Sequence, residues 1–135
     1  GDRGQGPARR GTLARRMIRA LAVAALLLPS LVWAGEADVI GATVEHRKGR
    51  IYDFDVTVRS KDTGWERYAD MIQVLGPAGN VLGTRVLEHP HDTEQPFTRD
   101  VYGVEIPRGI GEVTIRARFK PVGFDGSVLK VKLPD

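Results

Sequence analysis

The sequence predicts an all-β protein: an immunoglobulin- or fibronectin-III-like sandwich of about seven strands, preceded by a signal peptide. Three observations lead there. Apolar and polar residues alternate with period two through much of residues 35–135, the pattern of strands with one buried and one wet face. Clusters of Gly, Pro, Asn and Asp punctuate these runs at roughly the 8–12-residue spacing of small sandwiches. No stretch of that region carries the period of about 3.6 that an amphipathic helix needs. A small barrel is the alternative architecture.

A first strand is expected over residues 39–45, closed by Lys48-Gly49. In the second, Tyr52, Phe54, Val56 and Val58 alternate with Asp53, Asp55, Thr57 and Arg59. The two sets must point to opposite faces of a pleated strand. Weaker strands are expected over residues 71–75, 81–87 and 101–106. The turn Gly76-Pro77-Ala78-Gly79-Asn80 joins the third and fourth. In the sixth, Val113, Ile115, Ala117 and Phe119 alternate with Thr114, Arg116, Arg118 and Lys120. In the seventh, Leu129, Val131 and Leu133 flank Lys130 and Lys132. With no Cys in the sequence, the inter-sheet disulfide of antibody domains is excluded. So are a thiolate zinc site, a cysteine nucleophile and a lipoprotein anchor cysteine.

Upstream, a basic stretch ends in Arg15-Arg16-Met17-Ile18-Arg19, and an apolar run follows to Leu28. Val32-Trp33-Ala34 then offers a signal-peptidase site. The run is shorter than the ~20 residues of a spanning helix. Residues 17–34 are therefore expected to be a signal peptide. Residues 1–16 are expected to be a disordered or gene-model extension, and residues 35–135 one β-sandwich domain. Export points to a periplasmic or secreted bacterial protein that meets the membrane only in transit. Six of the 20 Lys and Arg and one of the 17 Asp and Glu lie in residues 1–34. The remainder carries 14 cations against 16 acids, so overall basicity gives no ground for a nucleic-acid partner.

Chemistry is densest in Leu87-Glu88-His89-Pro90-His91-Asp92-Thr93-Glu94-Gln95-Pro96-Phe97-Thr98-Arg99. Pro90 biases His89 towards an extended conformation. In an extended chain His89 and His91 point to the same side. With Glu94 they are the candidate ligands for Zn or Cu, and His46 could join only if the fold brought it near. The competing reading is a structural loop, in which Glu94, Gln95, Thr98 and Arg99 hold the backbone and Arg99 pairs with Glu94 or Asp92. That reading is preferred here, with no cofactor.

The pattern that starts at Asp62, passes Trp65 and Tyr68-Ala69-Asp70, and continues through Leu82-Gly83, Arg85, Leu87 and His89-Pro90-His91 to Glu94-Gln95-Pro96-Phe97-Thr98-Arg99 and Val104-Glu105-Ile106-Pro107 resembles a group of small secreted bacterial proteins of uncharacterised activity. Thr63-Gly64 stands before Trp65 in place of the group's single spacer. The likeness ends near Gly109 and covers about half of residues 35–135. It implies an exported β-domain and transfers no activity, ligand or residue role.

Trp65 and Tyr68 are expected to cover an end of the core, with a recognition surface as the alternative. Phe124 is expected to fold back on the core. Arg116, Arg118, Lys130 and Lys132 fall on the outer face of the last two strands, where they could meet an anionic ligand or an acidic protein of the cell envelope. Their bland role is a solvated edge. Serine-hydrolase, nucleotide-binding, P-loop and zinc-protease motifs are missing. The expectation is a non-catalytic binding or accessory domain, with a periplasmic Zn- or Cu-binding protein as the alternative.

Overall fold

The computed structural model describes residues 35–135. The expected extension over residues 1–16 and signal peptide over residues 17–34 lie outside them. Among the described residues there is no helix. Seven strands run in the order β1 (Ala37–Lys48), β2 (Ile51–Ser60), β3 (Tyr68–Leu75), β4 (Val81–Val86), β5 (Phe97–Glu105), β6 (Glu112–Lys120) and β7 (Leu129–Lys132). They form two sheets, β1-β2-β5 and β4-β3-β6-β7. Every pairing is antiparallel. This is the two-layer sandwich the alternation predicted.

The core is the set of inward positions. Along β2 every second residue is buried, and Phe54, Val56 and Val58 are fully enclosed. Facing them across the sandwich are Ile72 and Val74 of β3 and Val113, Ile115, Ala117 and Phe119 of β6. Val131 of β7 is half-buried against this cluster. Period-two burial on both sheets fixes the register, because a slip of one residue would turn every apolar side chain into water.

Three connections are hairpins within a sheet: β1–β2, β3–β4 and β6–β7. The other three, β2–β3, β4–β5 and β5–β6, carry the chain from one sheet to the other. At one side of the sandwich the edge strands β4 and β5 approach closely. Gly83 of β4 faces β5 there, and a Cβ at that position would sit 2.8 Å from Cγ2 of Val104. Arg85 of β4 spans the same gap to pair with Asp100 of β5.

Three strands are longer than expected; β3 starts at Tyr68 rather than residue 71, and the other two show the cause. β1 runs on from the expected end at residue 45 to Lys48, because Glu45 and His46 pair with Asp53 and Tyr52. β5 starts at Phe97 rather than near residue 101, since Thr98 and Arg99 pair with Thr57 and Val56 of β2. In both places backbone pairing prevails over polar composition, because a strand backbone left unpaired beside the core would lose its hydrogen bonds. β5 also bulges at Gly103, whose φ of 68° suits a residue without Cβ. Its N–H donates to Asp53 Oδ1 at 2.8 Å.

Replacing Val56 by Asp places a carboxylate at a fully enclosed position. The expected cost is several kcal/mol, comparable with the whole stability of a domain this size. Far-ultraviolet circular dichroism of Val56→Asp should show loss of the cooperative unfolding transition, and a normal transition would contradict the register.

Candidate functional site

The His-Pro-His segment occupies the β4–β5 crossover. The β2–β3 crossover lies beside it, and Asp62 in that second loop holds the two together. Asp62 Oδ2 accepts the backbone N–H of His91 at 2.8 Å. Its Oδ1 accepts the N–H of Ala69 at 3.0 Å and the hydroxyl of Ser60 at 2.6 Å. Gln95 completes the clamp. Its Oε1 accepts the Ser60 N–H at 2.8 Å, while its Nε2 donates to Ser60 Oγ at 3.1 Å and to the His91 carbonyl at 3.0 Å. The Leu87 N–H donates to the Asp70 carbonyl at 2.9 Å, which anchors the start of the loop to β3. Buried polar groups need such partners, and here nearly all have one.

The exception is the ring of His91. Its side chain is 3% exposed, yet neither ring nitrogen has a hydrogen-bond partner among the described residues. The ring stacks on Phe97, with centroids 3.9 Å apart and planes 10° from parallel. Nδ1 lies 3.8 Å from Asp62 Oδ2, too far for a hydrogen bond. Burial pushes the His91 pKa below its ordinary 6.5, and the charges of Arg99 and His89 act the same way. Asp62 and Glu94 oppose them and are outweighed. His91 is thus a neutral, stacked ring, and its contact with Asp62 is not an ion pair.

The candidate metal ligands take different positions. His89 and His91 do come together as the extended Pro90 segment implied, with centroids 4.6 Å apart and planes tilted by 41°. His89 is exposed, and its Nδ1 is 3.0 Å from the Pro90 carbonyl. Glu94 is turned to Arg99, 3.2 Å away, the pairing expected of a structural loop. His46 lies at the other end of β2, opposite Tyr52, with Nε2 2.6 Å from the Gly49 carbonyl. Among the described residues no three His, Asp or Glu side chains gather around one point.

The four cations expected to face a partner lie on the outer surface of β6 and β7, but in two states. Arg118 makes two 2.9 Å hydrogen bonds to the carboxylate of Asp70, which holds its pKa above the ordinary value. Arg116 is fixed by Gln73 Oε1, at 3.0 and 2.8 Å, and by the ring of Phe124, 3.7 Å from its guanidinium carbon. Phe124 therefore lies on the outside of β6, and the expectation that it folds back on the core is corrected: it is 40% exposed and serves Arg116. Lys130 and Lys132 are exposed and make no ion pair among the described residues. The opposite sheet face is acidic. Asp55 there accepts the hydroxyl of Tyr102 at 3.0 Å and raises its pKa.

Sequence reasoning missed the parts of this region that matter most for its shape. Neither Asp62 nor Ser60 was singled out as a structural residue. The one signal was that Asp62 opens the residue pattern that runs on through the His-Pro-His segment. Trp65, expected to cover the core, is 62% exposed instead.

Comparison with known proteins adds one relative. A protein of Halomicrobium mukohataei with the name "Putative lipoprotein" is 38% identical over 96 residues. The match covers 71% of this chain and 47% of that protein, so the chain spans about half the length of its relative. No family model matches the chain, and no solved structure matches it.

Two stability effects follow from this geometry. Asp62→Ala strands the N–H groups of Ala69 and His91 in a buried site, at an expected cost of about 3 kcal/mol in urea unfolding at pH 7.5. Because the folded-state pKa of His91 is lowered, the unfolded chain takes up a proton first as pH falls. This contribution to stability is present above about pH 6.5 and is lost on acidification until the folded pKa is passed. His91→Phe keeps the stack on Phe97 and should flatten the slope of stability between pH 7 and 5; an unchanged slope would contradict the assignment.

Proposed function

We propose that this chain is an exported, non-catalytic binding or accessory domain, which engages an anionic partner in the cell envelope through the outer face of β6 and β7. The observation that carries the reading is the pair Lys130 and Lys132. They stand on one exposed face beside Arg116, and among the described residues neither makes an ion pair, although Glu112 lies across the strand from Lys132. Arg116 is held ready by Gln73 and Phe124. Cations outnumber the carboxylates Glu112 and Asp70 on this face, and such an excess attracts anions over about the Debye length, ~8–10 Å in ordinary salt.

Two further points support the reading. The relative from Halomicrobium carries a lipoprotein's name, which suits a life in the cell envelope. A non-catalytic role agrees with the state of the polar cluster under the crossovers. Ser60 Oγ is spent on Asp62 and Gln95 and makes no hydrogen bond to an imidazole among the described residues, so it lacks the base that activates a nucleophile. A periplasmic or secreted location completes the proposal.

Lys130→Glu/Lys132→Glu tests it. The double variant should elute from a phosphocellulose column at clearly lower salt than the parent chain, with unfolding stability within about 0.5 kcal/mol. Elution at the parent's salt concentration would overturn the assignment of this face.

A further inference from the structure

Trp65 is the most exposed of the large apolar side chains among the described residues, and it is held in place. The Thr63 N–H donates to the Arg67 carbonyl at 2.9 Å, and the Arg67 N–H to the Gly64 carbonyl at 3.1 Å, which makes Trp65 the tip of a closed turn. Arg67 pins the turn to the body of the domain. Its guanidinium lies 5.3 Å from the Phe119 ring centroid and pairs with Glu36 at 3.2 Å. A large aromatic side chain held in water at the tip of a turn offers a flat apolar surface to a ligand.

Trp65 stands edge-on to Tyr68, with centroids 5.8 Å apart and planes at 73°. Tyr68 in turn lines an open groove of about 420 Å³ with Asp70, Arg118, Lys120 and Pro121. The groove carries fixed hydrogen-bonding groups. Arg118 uses Nε and Nη2 on Asp70, which leaves Nη1 with its two N–H donors for a ligand. Lys120 Nζ lies 5.8 Å from the Tyr68 ring centroid. One site thus combines aromatic surface, a carboxylate acceptor and two cationic donors.

We infer that this groove binds a glycan bearing carboxylate groups, with sugar rings packed on Trp65 and Tyr68 and carboxylates drawn to Lys120 and Arg118. The inference rests on the binding role proposed above and narrows its ligand. Sugars present flat C–H faces to aromatic rings and hydroxyls to acceptors such as Asp70, which matches the mixed lining. A lipid surface matches it less well. Glu66 adjoins Trp65 and Asp70 lines the groove, and insertion would carry both carboxylates out of water at a high desolvation cost.

The test uses the full chain in affinity gels containing polygalacturonate, dextran or no polymer, run in 0.5 M salt so that long-range attraction is screened. Sedimentation with phosphatidylglycerol vesicles is the parallel arm. The expected result is retardation by polygalacturonate and not by dextran, reduced at least fivefold in Trp65→Ala and little changed in Trp65→Phe, with unaltered circular dichroism in both. Three results would overturn the inference: retardation in Trp65→Ala equal to that of the parent, no retardation of the parent, or vesicle binding without retardation. Retardation that survives Trp65→Ala but is lost in Lys130→Glu/Lys132→Glu would sink the groove and leave the broader reading standing. Indifference of the chain to both polygalacturonate and vesicles, with unchanged phosphocellulose elution of the lysine variant, would sink both.

Discussion

Two of the three passages between the sheets close at the same end of the sandwich, and both close on the carboxylate of Asp62. From the β2–β3 crossover it reaches back to Ser60 and forward to Ala69, and it also takes the N–H of His91 in the β4–β5 crossover. A sandwich without a disulfide has to fix the separation of its sheets by other means. The core supplies cohesion, but it is non-directional. Hydrogen bonds to a charged group add direction and are each worth about 1.5–3 kcal/mol. Asp62 therefore decides which crossover backbones lie together, and Gln95 makes the arrangement rigid by bonding to both loops.

The rest of the loop follows from that clamp. Once its N–H is held by Asp62, His91 must place its ring against Phe97, at the first position of β5. There it is dry and neutral, and it fills space as an aromatic plate. The neighbouring His89 stays in water, and Glu94 stays with Arg99. A motif rich in imidazole and carboxylate thus serves the crossover through its backbone, Gln95 and Glu94, while the His91 ring nitrogens stay enclosed without a partner. The exposed surfaces with groups open to a ligand lie elsewhere, at Lys130 and Lys132 and around Trp65. The proposed binding is placed on those surfaces for that reason, and loops positioned by a rigid scaffold commonly carry such a role.

The period-two runs of β2 and β6 were legible in the sequence because each strand has one buried and one wet face, and burial follows that alternation residue by residue. The start of β5 was not, because Thr98 and Arg99 carry no apolar signal and are drawn into the strand by pairing with β2. The link between Arg99 and Glu94 was anticipated from charge as one of two, with Asp92 the other acid. The role of Asp62 was beyond sequence reasoning, since its partner His91 lies 29 positions away and only the topology joins them. Trp65 and Phe124 were misplaced for a related reason. An aromatic residue in a loop is equally compatible with covering a core and with standing outside it, and only neighbours such as Arg67 and Arg116 decide.

The claim that one carboxylate ties the crossovers together is tested most directly by amide hydrogen exchange. The N–H groups of Ala69 and His91 both end on Asp62. In the parent chain both should exchange slowly, near the rate set by global unfolding, although His91 lies in a loop. In Asp62→Ala both should accelerate together, while the amides of β2 and β6 keep their order of protection. Exchange of the His91 amide in the parent chain as fast as that of exposed loop residues would contradict the account.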